Sequence, residues 1–395
     1  MLVYNIIQVI LLSLLGSATL YIFIFAVAGV FYKEKKSAKA DRHRKFAVLI
    51  PGYKEDEVIV EVAKSALLQE YPMGLFDVVV IADSFQPETL AELRTLPVKL
   101  IEVSFDKSTK SKALNKGMAT LTSHYDIAVI LDADNIMAPD YLLKMNAAFA
   151  QGAFAVQGHR TAKNQNNSWA VLDAASEEIN NHIFRKGHRV LGLSSAIIGS
   201  GMAFYYDFFK TMMADVKAVG GFDKEIELKM LKAKHRISYQ DDAMIYDEKV
   251  QKADVFGNQR RRWLSAQIHY FQKDIIPAIG HLFTKGNLDY FDKAIQFIQP
   301  PRVLLIGALL LLSTLFIGAN YLLNNGISYS TAWLAITAAC MLALLLSVPR
   351  SFYNWKTGRA LISLPSGMLV MLMSLLKTKG ANKTFIHTKH TSSSR

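Results

Sequence analysis

The sequence predicts an α/β domain with a doubly wound, mostly parallel sheet, placed between apolar helices that can cross a membrane. In the middle of the chain, short apolar runs rich in β-branched residues alternate with helical segments. Charge-free stretches flank this part on both sides, and each reaches the ~20 residues that span a bilayer. The net charge of +12 gathers beside those stretches, which favours contact with a lipid surface and argues against nucleic acid as the partner.

The N-terminal residues 1–32 carry no charged side chain, and we predict that they form a transmembrane anchor. A cleaved signal peptide is the alternative, but it usually begins with basic residues, and the segment Met1–Tyr4 has none. Lysines and arginines instead fill residues 33–45. This basic juxtamembrane linker should therefore lie in the cytosol.

Residues 46–263 are predicted to form the soluble domain. Apolar runs at 46–50, 77–83 and 127–132 are typical of buried parallel strands, and residues 57–70 of an intervening helix. Ligands of such sheets bind beyond the carboxyl ends of the strands, where Asp83 and Asp132 lie.

The remaining residues are predicted to form a membrane block. Residues 264–299 mix aromatic and charged residues and suit interfacial helices. Residues 300–349 hold two predicted spans, 303–323 and 331–348, joined by a turn. Residues 350–395 hold a shorter apolar segment, 361–376, interpreted as interfacial or re-entrant, and a basic tail. Three spans would place this tail and the central domain in the cytosol of a multi-pass protein of the cell (inner) membrane.

The single cysteine, Cys340, lies in one of these apolar runs. One cysteine excludes an intrachain disulfide framework and a cysteine-based metal site. We interpret Cys340 as a small apolar core residue.

The strongest local signal is Asp132-Ala133-Asp134 at the end of an apolar strand. Two carboxylates at this spacing can share one divalent cation, and oxygen ligands suit Mg²⁺ or Mn²⁺ together with substrate phosphates. The alternative is a solvated turn, in which aspartate is common. Asp83 ends the preceding strand and is either a ligand for a base or ribose or a cap of the next helix.

Two basic segments are candidates for binding a diphosphate. Lys110, Lys112 and Lys116 surround Ala113–Asn115, and a solvated helix face is their alternative interpretation. The segment Gln259–Trp263 places three arginines before a tryptophan. Arginine binds phosphate in a bidentate manner, and tryptophan can stack on a sugar ring. A juxtamembrane basic patch is the alternative there.

The acidic residues of 220–227 and 239–242 include candidates for a general base. The residues alone leave this choice open.

Taken together, the central segment resembles glycosyltransferase family 2, in the branch that contains the cellulose, chitin, hyaluronan and poly-N-acetylglucosamine synthases. The resemblance runs from about residue 46 to residue 263 and rests on motifs that occur in the family's order. They are Pro51-Gly52-Tyr53-Lys54-Glu55, Leu68–Pro72, Asp83, Lys112–Asn115, Asp132–Asp134, Val156–Gly158, Gly199-Ser200-Gly201 and Gln259-x-x-Arg262-Trp263.

The resemblance implies a GT-A fold and a metal-dependent, inverting transfer of a hexose or N-acetylhexosamine from a UDP-sugar. It assigns the metal to Asp134 and Asp132, and the acceptor site to Gly199, Ser200, Gly201 and Trp263. The donor would be bound by Pro51, Tyr53, Glu55, Asp83, Lys112, Asp132, Gln259 and Arg262.

The chain departs from the family where the acceptor hydroxyl is deprotonated. The family has Thr-Glu-Asp, and this chain has Lys224-Glu225-Ile226-Glu227. A gap-free alignment on Leu228 nominates Glu225 as the base, with Glu227 and Asp242 as further candidates.

The acceptor is expected to be a polysaccharide, or alternatively a membrane lipid, since three spans make a sugar channel within one chain tight. A non-catalytic membrane subunit with a degenerate transferase fold is a further alternative, and an oligomer or a partner membrane subunit is compatible with the sequence.

Overall fold

A computed structural model describes residues 1–34, 40–216, 218, 220–324 and 327–378. The distal part of the predicted basic tail and residues 35–39 of the linker lie outside the described residues.

The centre of the molecule is an eight-stranded sheet in the order β3-β2-β1-β4-β7-β6-β8-β5. Its strands are β1 (Phe46–Tyr53), β2 (Phe76–Asp83), β3 (Lys99–Val103), β4 (Ile127–Ile130), β5 (Ile136–Met137), β6 (Ala155–Ala162), β7 (Met202–Tyr205) and β8 (Ile237–Asp247). Strands β5 and β7 run antiparallel to their neighbours, and the other pairs are parallel.

Fifteen α-helices are seen in the described residues, with one π-helical segment, Asn181–Gly187, and two short 3₁₀ segments. The helices are α1 (Leu2–Val30), α2 (Ile59–Ala66), α3 (Pro87–Arg94), α4 (Lys110–Thr120), α5 (Tyr141–Ala150), α6 (Ser168–Asn180), α7 (His188–Val190), α8 (Tyr206–Ala214), α9 (Phe222–Lys232), α10 (Ala253–Lys285), α11 (Leu288–Ile298), α12 (Arg302–Leu322), α13 (Ile327–Ser347), α14 (Trp355–Ala360) and α15 (Leu364–Leu376).

Strand β1 is buried on both faces of the sheet. Phe46, Val48 and Ile50 pack into one apolar core, and Ala47 and Leu49 pack into a second core on the opposite face. A strand covered on both sides must be apolar at consecutive positions, which is why its sequence reads as a continuous run. The predicted α/β fold with a doubly wound, mostly parallel sheet is confirmed.

The sheet brings several polar strand ends to one edge. Tyr53 at the end of β1 is in register with Asp83 at the end of β2. Strand β4 runs parallel to β1 and ends just before Asp132. The pairings through β7 and β6 give β8 the same direction, so Asp247 at its end reaches this edge too.

Four helical stretches are long and apolar enough to cross a membrane: Leu2–Val30, Arg302–Leu322, Ser328–Ser347 and Trp355–Leu376. The first three pack together around side chains that include Ile22, Leu309, Trp333 and Cys340. Near the N-terminus of α1, Gln8 is buried and accepts a hydrogen bond from Trp333 of α13 at 3.2 Å. The three helices are therefore joined at the end remote from the sheet as well as along their length.

The fourth stretch, Trp355–Leu376, has contacts of a different kind. Its first helix, α14, packs on α6 of the sheet domain. Near its other end, Ser374 of α15 donates a hydrogen bond to the carbonyl oxygen of Gly257 in α10 at 3.1 Å, and Arg261 donates one to the carbonyl oxygen of Lys377. Both ends of the stretch thus contact elements of the sheet domain.

Helix α10 is 33 residues long and is followed by the amphipathic helix α11. The predicted domain boundary at residue 263 lies inside α10, which continues along the sheet domain to Lys285. There Lys234 donates a hydrogen bond to the carbonyl oxygen of Lys285 at 2.7 Å.

Candidate functional site

The polar edge of the sheet opens into a cavity of about 890 Å³. Helices α4, α6, α9, α10 and α11 complete its walls. Most residues nominated from the sequence line it: Pro51, Tyr53, Glu55, Asp83, Asp132, Asp134, Gly199, Gln259, Arg262 and Trp263. Four residues that the resemblance assigns do not line it, namely Lys112, Ser200, Gly201 and Glu225.

Asp132 and Asp134 are held by a buried hydrogen-bond relay. The Asp132 backbone N–H donates to Ser200 Oγ at 2.9 Å, and this hydroxyl donates to Asn135 Oδ1 at 2.7 Å. Asn135 Nδ2 in turn donates to Asp134 Oδ1 at 3.1 Å and to Asp247 Oδ1 at 2.8 Å. Ser200, expected to bind the acceptor, is buried beneath the cavity and holds the Asp-x-Asp turn through these hydrogen bonds.

The glycines on either side of Ser200, Gly199 and Gly201, both have a positive φ. Gly199 has φ +83° and lies at the cavity wall. Gly201 has φ +59°, and a Cβ there would lie 2.7 Å from Cγ1 of Ile245. Both positions favour glycine because an L-residue is strained at positive φ. Gly201 contacts the core beneath the site and does not line the cavity, so its expected contact with the acceptor stays a prediction without geometric support.

Lys110 lines the cavity, whereas Lys112, which the resemblance assigns to donor binding, does not. It forms an ion pair with Asp132 and donates a hydrogen bond to the carbonyl oxygen of Gly199 at 2.8 Å. Lys112 lies two residues further along α4 and points away, with its ammonium donating to the carbonyl oxygen of Lys107 at 2.8 Å. Two helical residues rotate the side chain by about 200°, which accounts for the difference.

Asp83 is almost fully buried, with 1% exposure, and accepts a hydrogen bond from Ser84 Oγ at 2.9 Å. Tyr53 and Glu55 follow the neighbouring strand end and line the same part of the cavity. Asp83 and Glu55 therefore present carboxylates at this part of the cavity, and binding of a base or ribose there stays a prediction.

The three arginines of α10 have three different environments. Arg260 forms an ion pair with Asp173 and lies over the ring of Trp263, 4.4 Å from its centroid. Arg261 contacts the end of α15 through the carbonyl oxygen of Lys377. Arg262 lines the cavity, and burial lowers the pKa of its guanidinium. One run thus supplies structural contacts through Arg260 and Arg261 and a cavity-lining side chain through Arg262.

The acidic residues of α9 lie on two different faces of the helix. Asp223 and Glu227, four residues apart, share a face and line the cavity. Glu225 lies on a different face, where it forms an ion pair with Lys229 at 3.2 Å. The position nominated from the alignment is thus turned away from the cavity, and a catalytic role for Glu225 stays a prediction without geometric support. Asp242, the other alternative, forms an ion pair with Lys144 at 3.9 Å.

Asp223 lies beside Gly199, which is linked through Lys110 to Asp132. A Cβ at Gly199 would lie 3.7 Å from Cβ of Asp223, and Lys110 contacts both the Gly199 carbonyl oxygen and Asp132. Asp223 belongs to the acidic segment 220–227, but the alignment on the family does not nominate it. The signal that identifies it is its i, i+4 spacing from Glu227.

A buried charge network forms another wall and was missed from the sequence. Lys249 contacts Asp247 at 2.7 Å and Glu177 at 3.6 Å, and Glu177 contacts Arg160 at 2.8 Å. These neighbouring cations lower the pKa of Glu177 against the opposing effect of burial, which raises it. Asp247 connects the network to the relay through Asn135.

The π-helical segment after α6 extends the cavity wall as far as the apolar helix α1. Phe184 and Arg185 of this segment line the cavity. On its other side Gly187 packs so tightly on α1 that a Cβ would lie 2.1 Å from the carbonyl oxygen of Phe25. Gln296 and Phe297 of α11 line the same end, and their neighbour Asp292 accepts a hydrogen bond from Tyr21 of α1 at 2.7 Å.

The donor set fits a hard divalent cation. Among the described residues no group of three or more His, Cys, Asp or Glu side chains is placed to hold a metal by itself. Asp132 and Asp134 supply two carboxylates at an open cavity, which is the ligand type that Mg²⁺ and Mn²⁺ use together with substrate phosphates.

A sequence profile described as "Glycosyltransferase like family 2" matches residues 43–266. No curated protein sequence is significantly similar to the chain.

The chain is similar to several solved structures. A mannosyltransferase, PcManGT from Pyrobaculum calidifontis, solved with GDP-Man and Mn²⁺, is 18% identical, covers 87% of this chain and 98% of its own, and has a TM-score of 0.53. TarS 1-349 of S. aureus with UDP-GlcNAc is 15% identical over 86% of this chain and 91% of its own, with a TM-score of 0.40. Glucosyl-3-phosphoglycerate synthase of Mycobacterium tuberculosis, with Mn²⁺, UDP and its product, is 14% identical over 54% and 75%, with a TM-score of 0.38.

Proposed function

Because the chain belongs to glycosyltransferase family 2, we propose that it transfers a hexosyl or N-acetylhexosaminyl group from a nucleotide sugar to an acceptor hydroxyl at the membrane surface. The observation that carries this proposal is the convergence of Asp83, Asp132, Asp134, Asp223 and Arg262 on one cavity. These residues come from separate elements, yet they supply the nucleoside, diphosphate and acceptor contacts that the reaction needs.

The donor end of the proposed site lies at the strand ends. Asp83 would accept hydrogen bonds from the nucleoside, and Arg262 with Gln259 would donate to the diphosphate. Asp134 and Asp132 would hold Mg²⁺ or Mn²⁺, which when bound neutralises charge on the leaving diphosphate. Lys110, which contacts Asp132 in this structure, adds a cation for the same charge. We propose a UDP-sugar as the first donor to test and GDP-mannose as the second.

The base in this proposal is Asp223. It lies on the cavity face of α9 next to Gly199 and thus near the Asp-x-Asp turn. As a residue of the first turn of α9, it lies at the positive end of the helix dipole. It would accept the proton of the acceptor hydroxyl as that oxygen attacks the anomeric carbon from the side opposite the diphosphate, which inverts the configuration.

The acceptor end of the cavity supports a membrane-resident acceptor. Its walls, Phe184 and Arg185, belong to the π-helical segment on which α1 packs, and Gln296 belongs to the helix that precedes α12. The space between α1, α12 and α13 is filled by side chains such as Trp333 and Ile22. A sugar chain passing between these helices would have to displace that core. We therefore favour an amphiphilic lipid acceptor over an extruded polysaccharide.

The proposed topology has three spans, α1, α12 and α13, with the sheet domain in the cytosol. The stretch Trp355–Leu376 would lie in the membrane interface, because both of its ends contact the sheet domain. Trp355 and Ile362 are each 80% exposed and would face lipid.

The test is a direct assay of transfer. The protein is purified in sugar-free detergent, reconstituted with a lipid extract, and incubated with a panel of UDP- and GDP-sugars and Mn²⁺. Mass spectrometry should find a lipid whose mass has increased by one hexosyl or N-acetylhexosaminyl residue. Release of the nucleotide without any glycosylated product, or a product confined to the aqueous phase, would count against the lipid acceptor.

A further inference from the structure

The acceptor end of the cavity contains a buried ion pair that the proposed reaction does not use. Glu227 of α9 is 1% exposed, and its Oε1 lies 2.8 Å from Nζ of Lys293 of α11, which is itself 6% exposed. Both residues line the cavity. The second carboxylate oxygen, Oε2, is buried and has no hydrogen-bond partner among the described residues.

A buried carboxylate oxygen without a donor is costly, because buried polar groups normally complete their hydrogen bonds. Burial raises the pKa of Glu227, and the neighbouring Lys293 opposes that rise. An acceptor oxygen at a cavity wall is completed most simply by a donor from a bound molecule. Hydroxyl groups are such donors, and anionic phosphate oxygens are not.

The surroundings of the pair indicate the chemistry of that molecule. Phe222, Trp263 and Phe297 supply aromatic walls to this end of the cavity, and Gln267 and Gln296 supply amide groups. The charges of Asp223 and Glu227 are balanced by those of Lys224 and Lys293. Aromatic faces, amides and a balanced charge suit a neutral polyhydroxylated group.

We propose that Glu227 and Lys293 form a subsite for the neutral, polyhydroxylated head group of the acceptor, such as a sugar or polyol borne by a lipid. This inference rests on the proposed function and specifies its acceptor. Glu227 Oε2 accepts a hydrogen bond from one head-group hydroxyl, while Lys293 fixes the carboxylate. Glu227 is thus a positioning residue, and proton removal remains with Asp223.

The test measures binding and transfer separately on protein in phosphatidylcholine nanodiscs. The binding probes are octyl β-D-glucoside and decyl phosphate, followed by tryptophan fluorescence. Wild-type protein should bind octyl β-D-glucoside more tightly than decyl phosphate. Glu227→Gln should weaken glucoside binding about ten- to hundredfold, the size expected for loss of one hydrogen bond to a charged group. Transfer should show the same change in KM for octyl β-D-glucoside, with kcat within about threefold of wild type.

Lys229→Gln is the matched control on the same helix, outside the cavity, and should bind like wild type. Because removal of one partner of a buried pair destabilises a protein, the double variant Glu227→Gln/Lys293→Met is measured alongside, with melting temperatures for all. A folded double variant that binds the glucoside like wild type overturns the proposal, as does tighter binding of decyl phosphate. If octyl β-D-glucoside binds in a manner that depends on Glu227 but no sugar is transferred, the subsite stands and the proposed function is refuted.

Discussion

Ser200 is the residue through which the metal-binding candidates can be perturbed without touching them. Its hydroxyl accepts from the Asp132 N–H at 2.9 Å and donates to Asn135 Oδ1 at 2.7 Å. Ser200→Ala leaves both buried groups without a partner, which costs about 1–3 kcal/mol for each in the free energy of unfolding. It also frees the Asp-x-Asp turn from the contact that orients it.

Outer contacts that orient metal ligands typically contribute 10- to 100-fold to metal affinity or activity. We therefore expect Ser200→Ala to require about 10- to 100-fold more Mn²⁺ for half-maximal transfer, with kcat recovering at saturating metal. The assay is a Mn²⁺ titration of transfer at a fixed, saturating nucleotide sugar, with the melting temperature measured on the same sample.

Ser195→Ala provides the matched control. Ser195 is equally buried, and its hydroxyl donates only a long hydrogen bond of 3.4 Å to the carbonyl oxygen of Ala196. It should lose little stability and keep the wild-type response to Mn²⁺. A folded Ser200→Ala protein with an unchanged Mn²⁺ midpoint would refute the relay as the element that orients the metal ligands.

Three further predictions follow from the same geometry. Asp223→Asn should lower the rate of transfer by ~10²–10⁴-fold with nearly unchanged donor affinity, while Glu225→Gln retains turnover. Rate assays on both variants that show the reverse pattern would favour Glu225 as the base. Two carboxylates raise the pKa of buried His159 from 6.5 to about 9. Protonated His159 therefore adds roughly 3 kcal/mol to the free energy of unfolding. This stabilisation is complete below pH 6.5 and is lost as the pH rises through 9. His159→Phe should flatten that part of the melting-temperature profile, and a profile as steep as wild type would contradict the assignment. The proposed topology places Asn324, between α12 and α13, outside the cell, so Asn324→Cys should react with an impermeant thiol reagent applied to intact cells. Labelling only after lysis would contradict this topology.

The architecture could be predicted because its signals are local. Strand β1 is covered on both faces, so its burial appears in the sequence as consecutive apolar residues. Helices α1, α12 and α13 are apolar over their length, and this too appears as an uninterrupted pattern. Strand ends that carry aspartates then locate the edge of the sheet at which the cavity forms.

The nominated helical residues that do not line the cavity differ from the lining ones in helix phase. Lys112 and Glu225 each lie two residues from a residue that lines the cavity, Lys110 and Asp223 respectively. A motif match fixes a position along the chain only to within a residue or two, whereas two residues turn a helical side chain to another face. The i, i+4 pair of Asp223 and Glu227 would have resolved the second case.

The buried charge network depends on the tertiary structure. Glu177 of α6 meets Arg160 of β6 and Lys249, which follows β8, and these residues share no sequence pattern. Their contacts exist only because the sheet order places β6 next to β8. The three consecutive arginines of α10 were similarly divided among Asp173, Lys377 and the cavity by their surroundings.

The central claim is metal-dependent transfer of a sugar from a nucleotide donor at the Asp-x-Asp turn. The most direct measurement compares wild type and Asp134→Ala in nanodiscs, each with the donor panel and Mn²⁺, by mass spectrometry of the lipid fraction. The account predicts a glycosylated lipid from wild type that disappears with excess chelator and is absent from a folded Asp134→Ala protein. Equal product from both proteins, or full product in the presence of chelator, would contradict it.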